Sequence, residues 1–251
     1  MTRVIMHGCN GKMGQVIKGL IASDTSVELV AGIDAYLGVN NEFPVFTSIE
    51  ACTVEADVII DFSNPNAVDA LLDYCVKQQV PVVLCTTGLT ELQLEKVEKT
   101  SKEVAVLKSA NMSLGINMLM KLLQDATKTL VPAGFDIEMV EKHHNQKLDA
   151  PSGTALALAD AMNESLNHEY EYTYDRSQVR EKRKKKEIGI TAIRGGTIVG
   201  EHEVIFAGAD EVIEFKHTAY SRAVFGKGAI EAGKFLASKA PGLYDMADVI
   251  G

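Results

Sequence analysis

Five short apolar runs in the first 107 residues, at 3–7, 28–33, 57–62, 81–85 and 104–107, alternate with helical patterns. No other feature limits the fold as strongly. Met13, Val16, Ile17, Leu20 and Ile21 recur at i, i+3, i+4, i+7 and i+8, one face of a helix following the first run. The run at 57–62 lacks polar alternation and reads as a strand buried on both faces. Ser63 or Asn64, followed by Pro65, opens a second helix carrying Val68, Leu71, Leu72, Cys75 and Val76. Thr90 and Gln93 have the spacing of a capping box for a third helix, ending near residue 102. Each parallel step needs a crossover, so this order predicts an α/β fold with a Rossmann-type, doubly wound parallel sheet.

Beyond about residue 112 the pattern changes. A helix over 114–130 leads to a strand at 136–142 and a helix over 152–167. Three strand candidates follow between Ile188 and Thr218, separated by turns at Gly195-Gly196 and Gly208-Ala209-Asp210. Such turns mark neighbouring strands joined by short loops, hence a second, α+β domain on an open mixed sheet. Ser221 is expected to cap a final helix to about residue 238, whose apolar face of Val224, Phe225 and Leu236 returns to the first domain. The basic run at 182–186 reads as a solvated loop.

With 25 basic and 34 acidic residues the net charge is -9, which repels polyanions and argues against nucleic acid as a partner. No apolar run approaches the roughly 20 residues of a bilayer-spanning helix, and the N-terminal run has no signal-peptide character, so no membrane association is expected. Cys9, Cys52, Cys75 and Cys85 show no C-x-x-C spacing, which favours a reduced, cytoplasmic protein without zinc.

Chemistry concentrates in two places. The first is the loop after the first strand, a G-x-x-G-x-x-G sequence from Gly8 through Gly11 to Gly14, with Asn10 at the usual second glycine. Small residues let backbone N–H groups approach a pyrophosphate at a helix N-terminus, although a tight strand-to-helix turn needs glycine for steric reasons alone. Asp34, 20 residues after Gly14, stands where an acid meets the adenosine ribose, and this favours dinucleotide binding. Thr86-Thr87-Gly88 and Ser109-Ala110-Asn111-Met112 follow strands at the sheet edge that holds ligands; taken singly they also read as turns and caps.

The second place is the stretch 141–154. His143, His144 and Lys147 combine proton exchange near neutral pH with a fixed cation, and Ser152-Gly153-Thr154 offers helix N-terminal donors suited to a carboxylate. The other reading of the stretch is a polar interdomain loop. Zinc at His143 and His144 is disfavoured, because adjacent strand side chains point apart and no cysteine lies near.

These residues resemble the 4-hydroxy-tetrahydrodipicolinate reductase family, also called dihydrodipicolinate reductase. The resemblance is carried by the glycine loop, Asp61-Phe62-Ser63, Thr86-Thr87-Gly88, residues 110–113 with Gly115 and Asn117, and above all H-H-x-x-K-x-D-A-P-S-G-T from His143 to Thr154. It implies a homotetramer of two-domain subunits, with a nicotinamide domain at 1–112 plus 223–251 and a substrate-binding and oligomerisation domain at 113–222. It implies NADH or NADPH as cofactor, a small cyclic dicarboxylate substrate, and the reductive step of lysine and diaminopimelate biosynthesis. By the same resemblance His143 is the proton donor and Lys147 a second acid, while His144, Gly153 and Thr154 hold substrate carboxylates. Gly8, Cys9, Asn10, Gly11, Lys12, Met13, Asp34, Cys85, Thr86, Thr87, Ser109, Ala110, Asn111 and Met112 match its cofactor contacts. Many relatives have a basic residue after the ribose acid, whereas Ala35 stands here, so NADH should serve at least as well as NADPH. Two other readings are a different two-domain NAD(P)-dependent dehydrogenase of an amino acid or sugar, and a non-enzymatic nicotinamide sensor.

Overall fold

The computed structural model describes residues 1–109 and 111–251, so the expected contact at Ala110 lies outside the described residues. The chain divides into two compact units, Met1–Leu114 with Arg222–Gly251, and Gly115–Ser221.

The first unit opens with β1 (Thr2–His7), α1 (Lys12–Ile21), β2 (Val27–Ile33) and β3 (Val45–Phe46). It continues through β4 (Val58–Asp61), α2 (Pro65–Gln78), β5 (Val82–Leu84), α3 (Glu91–Ser101) and β6 (Ala105–Leu107). Helix α4 (Leu114–Leu130) leads to the second unit, built of β7 (Asp136–His143), α5 (Gly153–Glu164), β8 (Glu171–Thr173), β9 (Glu187–Arg194), β10 (Gly200–Ala207) and β11 (Val212–Ala219). The chain then returns to the first unit with α6 (Ala223–Leu236), β12 (Gly242–Tyr244) and α7 (Met246–Ile250).

In the first unit the strand order is β12-β6-β5-β4-β1-β2-β3, every pair parallel. Alternate side chains go to opposite faces. Val4, Met6, Val58 and Ile60 pack with Ile17, Ala229 and Leu236 on one side, while Ile5, Ile59, Val82 and Leu84 pack with Val68, Leu71, Leu72 and Val97 on the other. Both faces are covered, which is why these strands read as unbroken apolar runs. Each such fully buried aliphatic side chain contributes roughly 1.5–3 kcal/mol. Asn64 caps α2 by accepting from the Asn66 amide at 3.0 Å, with Pro65 at the first helical position, and Thr90 and Gln93 form the expected capping box on α3. The chain leaves β1 for β2 on one side and pairs β1 with β4 on the other, which opens a crevice at the carboxyl ends of these strands.

The second unit is a mixed sheet in the order β11-β10-β7-β9-β8. Helices α4 and α5 cover one face, where Leu119, Leu123, Leu158 and Met162 meet Ile137, Met139, Ile190, Val204 and Phe206.

The structure departs from several sequence expectations. The turn at Gly195-Gly196 does not join neighbours: β7 lies between β9 and β10, parallel to the first and antiparallel to the second. Strands lie about 4.8 Å apart, so the five residues 195–199 step across one strand without strain. Among the described residues only β10 and β11 form a hairpin. Helix α5 ends at Glu164 rather than 167, because Asn167 and His168 both turn left-handed at φ 57° and the Asn163 side chain ties the reversal to Tyr170. Arg222, not Ser221, holds the N-cap position of α6, and α6 is not the last element. The basic run is more than a solvated loop: Arg183 is half-buried and bonds Asp136 and Glu138, and Arg176 joins it on Glu138 and Glu187.

Candidate active site

In the first unit the glycine loop leaves β1 and enters α1 as the sequence indicates. Gly8 has φ +82°, and a Cβ there would lie 2.6 Å from the Phe62 carbonyl oxygen, so no side chain fits. Gly11 occupies the N-cap of α1 without a side-chain cap, which leaves the first helical amides for an anion. Asp34 accepts from the Asn10 amide at 2.9 Å and from the Tyr36 amide at 2.9 Å, so the acid is locked to the loop it should serve. Asn10 in turn donates to the Tyr36 carbonyl and accepts from Asn41.

A cavity of about 460 Å³ opens beside the loop, lined by Gly8, Gly11, Asp34 and Ala35 on one side and by Ser48, Glu50, Asn64 and Ala67 on the other. Its size and lining fit part of a dinucleotide. Beneath it Asp61, fully buried, accepts from His7 Nδ1 at 2.8 Å, the Thr86 hydroxyl at 2.5 Å and the Ser63 amide at 3.2 Å.

Of the other expected cofactor contacts, Lys12 and Thr87 are exposed, Met13, Cys85, Ser109 and Asn111 are half-buried, and Thr86 is buried. The Cys9 side chain is in the core against Gly32, where burial pushes its thiol up to about 11. Burial likewise holds the Cys85 thiol well above its ordinary value. Neither is a thiolate near neutral pH, so neither thiol offers a nucleophile or an anion to a ligand. Met112 is buried, and its carbonyl faces Gly228 of α6 at a point where a Cβ would clash.

In the second unit His143 is the last residue of β7, and Glu141, two residues before it, shares its face. Register supplies the rest: Arg194 of β9 lies opposite His143, and His202 of β10 lies opposite Glu141. Glu141 Oε2 accepts from His143 Nδ1 at 2.6 Å and Arg194 Nη1 at 2.8 Å; Oε1 accepts from Arg194 Nη2 at 2.6 Å and the Ser152 amide at 2.9 Å. Burial works against the charged Glu141, but these donors outweigh it and hold its carboxyl below the usual range. Burial lowers the His143 pKa, with Lys147 and Arg194 adding to the effect against Glu141. The His202 ring packs edge-on to His143 at 5.2 Å, bonds the Ser152 hydroxyl at 3.1 Å, and is pushed down to about 4 by burial.

Ser152 caps α5 by accepting from the Ala155 amide at 3.1 Å. Lys147 pairs with Asp149 at 2.8 Å, and the Gly153 amide also bonds that carboxylate, holding Asp149 below its usual pKa. The chain's own carboxylate thus shows that this helix start and this lysine accept an anion together. His144 and Thr154 are half-buried beside the same loop. Glu141, Arg194 and His202 had no role assigned from sequence. The i, i+2 spacing of Glu141 and His143 was the available signal for the first, whereas the other two are brought in only by strand register.

A parallel dinucleotide-type sheet in one unit and a clamped acid–base cluster in the other define a nicotinamide-dependent oxidoreductase. Residues 2–112 match the family model for the N-terminus of dihydrodipicolinate reductase, and 115–250 the model for its C-terminus. The chain belongs to the dihydrodipicolinate reductase family. It is 53% identical over 250 residues to the 4-hydroxy-tetrahydrodipicolinate reductase of Caldanaerobacter subterraneus subsp. tengcongensis, covering 100% of this chain and 98% of that one. It is 50% identical over 246 residues to the same enzyme of Clostridium tetani, covering 98% and 96%. A solved dihydrodipicolinate reductase from Paenisporosarcina sp., with dipicolinate bound, superposes with a TM-score of 0.82 at 25% identity, covering 98% of this chain and 97% of that one.

Proposed function

We propose that this chain reduces 4-hydroxy-tetrahydrodipicolinate to tetrahydrodipicolinate with NADH or NADPH, the reductive step of lysine and diaminopimelate biosynthesis. The observation that carries the reading is the match of both halves to one family, together with 53% identity over 250 residues to one of its members. A bound nicotinamide supplies the hydride, which goes from its C4 to the substrate ring, while the hydroxylated substrate loses water in the overall conversion.

The chain's own residues do the rest. In this reading the first unit is the dinucleotide domain: the amides of Gly11, Lys12 and Met13 receive the pyrophosphate, and Asp34 receives the ribose hydroxyls. Residues at the ends of β5 and β6, from Cys85 to Thr87 and at Ser109, Asn111 and Met112, complete the cofactor contacts. The second unit is the substrate domain. Lys147, His144 and the α5 start at Gly153 and Thr154 receive two carboxylates, and the pairing of Lys147 and Gly153 with Asp149 supports this. His143 and Lys147 supply the proton.

A homotetramer belongs to the same reading. Its support is the uncovered face of the mixed sheet, which exposes Ile193 and Val212 beside a charged lattice of Lys142 and Lys216 with Glu201 and Glu203. A cytoplasmic setting fits four free thiols. Among the described residues no helix is long and apolar enough to cross a membrane.

The test is oxidation of NADH and NADPH with the freshly made condensation product of pyruvate and aspartate semialdehyde. Pyridine-2,6-dicarboxylate should compete with that substrate. No turnover, or no inhibition at millimolar dicarboxylate, contradicts the reading; sedimentation of a monomer contradicts the tetramer.

A further inference from the structure

Glu141 is 0% exposed, yet nothing in the reaction requires a buried carboxylate at its position. A carboxylate has about four lone-pair sites, and here two guanidinium hydrogens, one backbone amide and one imidazole nitrogen fill them. An ionised carboxylate cannot donate, so the hydrogen in its bond to His143 resides on Nδ1. His143 Nε2 is left without a protein partner among the described residues, next to Gly200, where a Cβ would come within 3.2 Å.

We infer that Glu141, clamped by Arg194, is a positioning residue that fixes the His143 proton on Nδ1 and reserves Nε2 for proton exchange with the substrate. The consequence for turnover rests on the proposed reduction; the geometry does not.

The clamp has a second effect. A bare glutamate would raise the proton affinity of His143, and the Arg194 charge offsets that. The charged and titratable groups around the ring are Glu141 on its own strand, Lys147 in the following loop, Arg194 on β9 and His202 on β10. Burial opposes the imidazolium, and the Lys147 and Arg194 charges work against the help from Glu141, so the His143 pKa is held below its ordinary value and the neutral ring is favoured near pH 7 when no substrate is bound. A dianionic substrate supplies the missing negative charge and draws a solvent proton onto Nε2. When the Nε2–H bond breaks and the proton passes to the substrate, the imidazole returns to the Nδ1–H form that Glu141 already holds. Neither ring nor carboxylate has to turn over.

In Glu141→Gln the amide oxygen can keep Arg194, but the NH2 then meets Nδ1 donor to donor, and the neutral ring must move its hydrogen to Nε2. The experiment is nitrogen-15 NMR of full-length protein labelled at histidine, wild type against Glu141→Gln, with kcat and KM measured on the same samples. Expected are a His143 Nδ1–H tautomer in the wild type, the Nε2–H tautomer in the variant, and a fall in kcat of at least tenfold at nearly unchanged KM.

Arg194→Gln provides a second measurement that does not depend on Glu141→Gln folding. Loss of the offsetting cation raises the His143 pKa, so activity persists to a pH higher by about half a unit or more. An unchanged tautomer in folded Glu141→Gln, a kcat within twofold of wild type, or an unmoved alkaline limb in Arg194→Gln overturns the assignment. If the wild-type protein does not turn over the substrate, the reading of the reaction fails, while the tautomer comparison still decides the role of Glu141.

Discussion

In each unit a fully buried carboxylate near the carboxyl end of an inner strand bonds a histidine, Asp61 with His7 in the first and Glu141 with His143 in the second. The partners differ. Asp61 bonds an imidazole, a hydroxyl and an amide contributed from the ends of β1, β4 and β5, so it ties three strand ends together under the glycine loop. Glu141 bonds a bidentate guanidinium besides its histidine, a cation that Asp61 lacks among the described residues. A carboxylate–histidine pair is therefore a strut where its contacts join elements. With a guanidinium beside it, the second pair has the charge balance that the proposed proton exchange at His143 needs.

The comparison breaks first at the histidines. His143→Ala and Lys147→Ala should each lower kcat by about 10² or more, the contribution typical of general acid–base groups, with NADH affinity unchanged. Near-normal turnover in either variant removes that residue from the chemistry.

The next difference is acid sensitivity, because His202 has no counterpart in the first cluster. Its folded pKa of about 4 lies below the ordinary 6.5. Between these values the unfolded chain binds more protons, so stability declines as pH falls from about 6.5 to about 4. The loss is about 2 to 3 kcal/mol across the window. Denaturant midpoints at several pH values should show it, and His202→Gln should flatten the curve. An equally steep curve in that variant assigns the acid loss elsewhere.

Effects on the first cluster should appear in cofactor binding instead. Gly8→Ala forces a left-handed alanine against the Phe62 carbonyl and should weaken NADH binding at least tenfold, about 1.4 kcal/mol. His7→Gln should weaken it severalfold while kcat at saturating NADH stays near wild type. Titration of bound NADH fluorescence reads both, and a kcat defect in His7→Gln would erase the distinction drawn between the clusters.

The smallest effect concerns the cofactor's 2′ position. NADH should serve at least as well as NADPH, because a phosphate would meet Asp34, and Lys12 offsets that by roughly 0 to 1 kcal/mol as an exposed pair. Ala35→Arg should move the kcat/KM ratio severalfold toward NADPH. A wild-type preference for NADPH beyond about tenfold contradicts this account of the pocket.

Much of this was legible in the chain because the physics that built it was local. Strands covered on both faces leave unbroken apolar runs, and caps such as Asn64 and Thr90 leave fixed spacings. β3 and β8, short and only partly buried, show neither a period nor the apolar run that marks the equally short but fully buried β5 and β6. The order of the second sheet was hidden because a short turn says nothing about a strand inserted between its arms. The same holds for the site. His143 and Lys147 stand together in sequence, whereas Arg194 and His202 arrive through pairing with β7, which no local pattern encodes.

The insertion of β7 between β9 and β10 also has a kinetic side. Ile137 pairs with both Ile188 and Phe206, so the centre of this sheet forms only after long loops close, at the slow end of folding for a unit of its size. Once formed, its backbone has a strand on either side and no route to water short of breaking the sheet. Amide hydrogens along Asp136–His143 should therefore exchange with deuterium later than those of the edge strands β8 and β11. The His143 imidazole is thus carried by the stretch of chain expected to let go last.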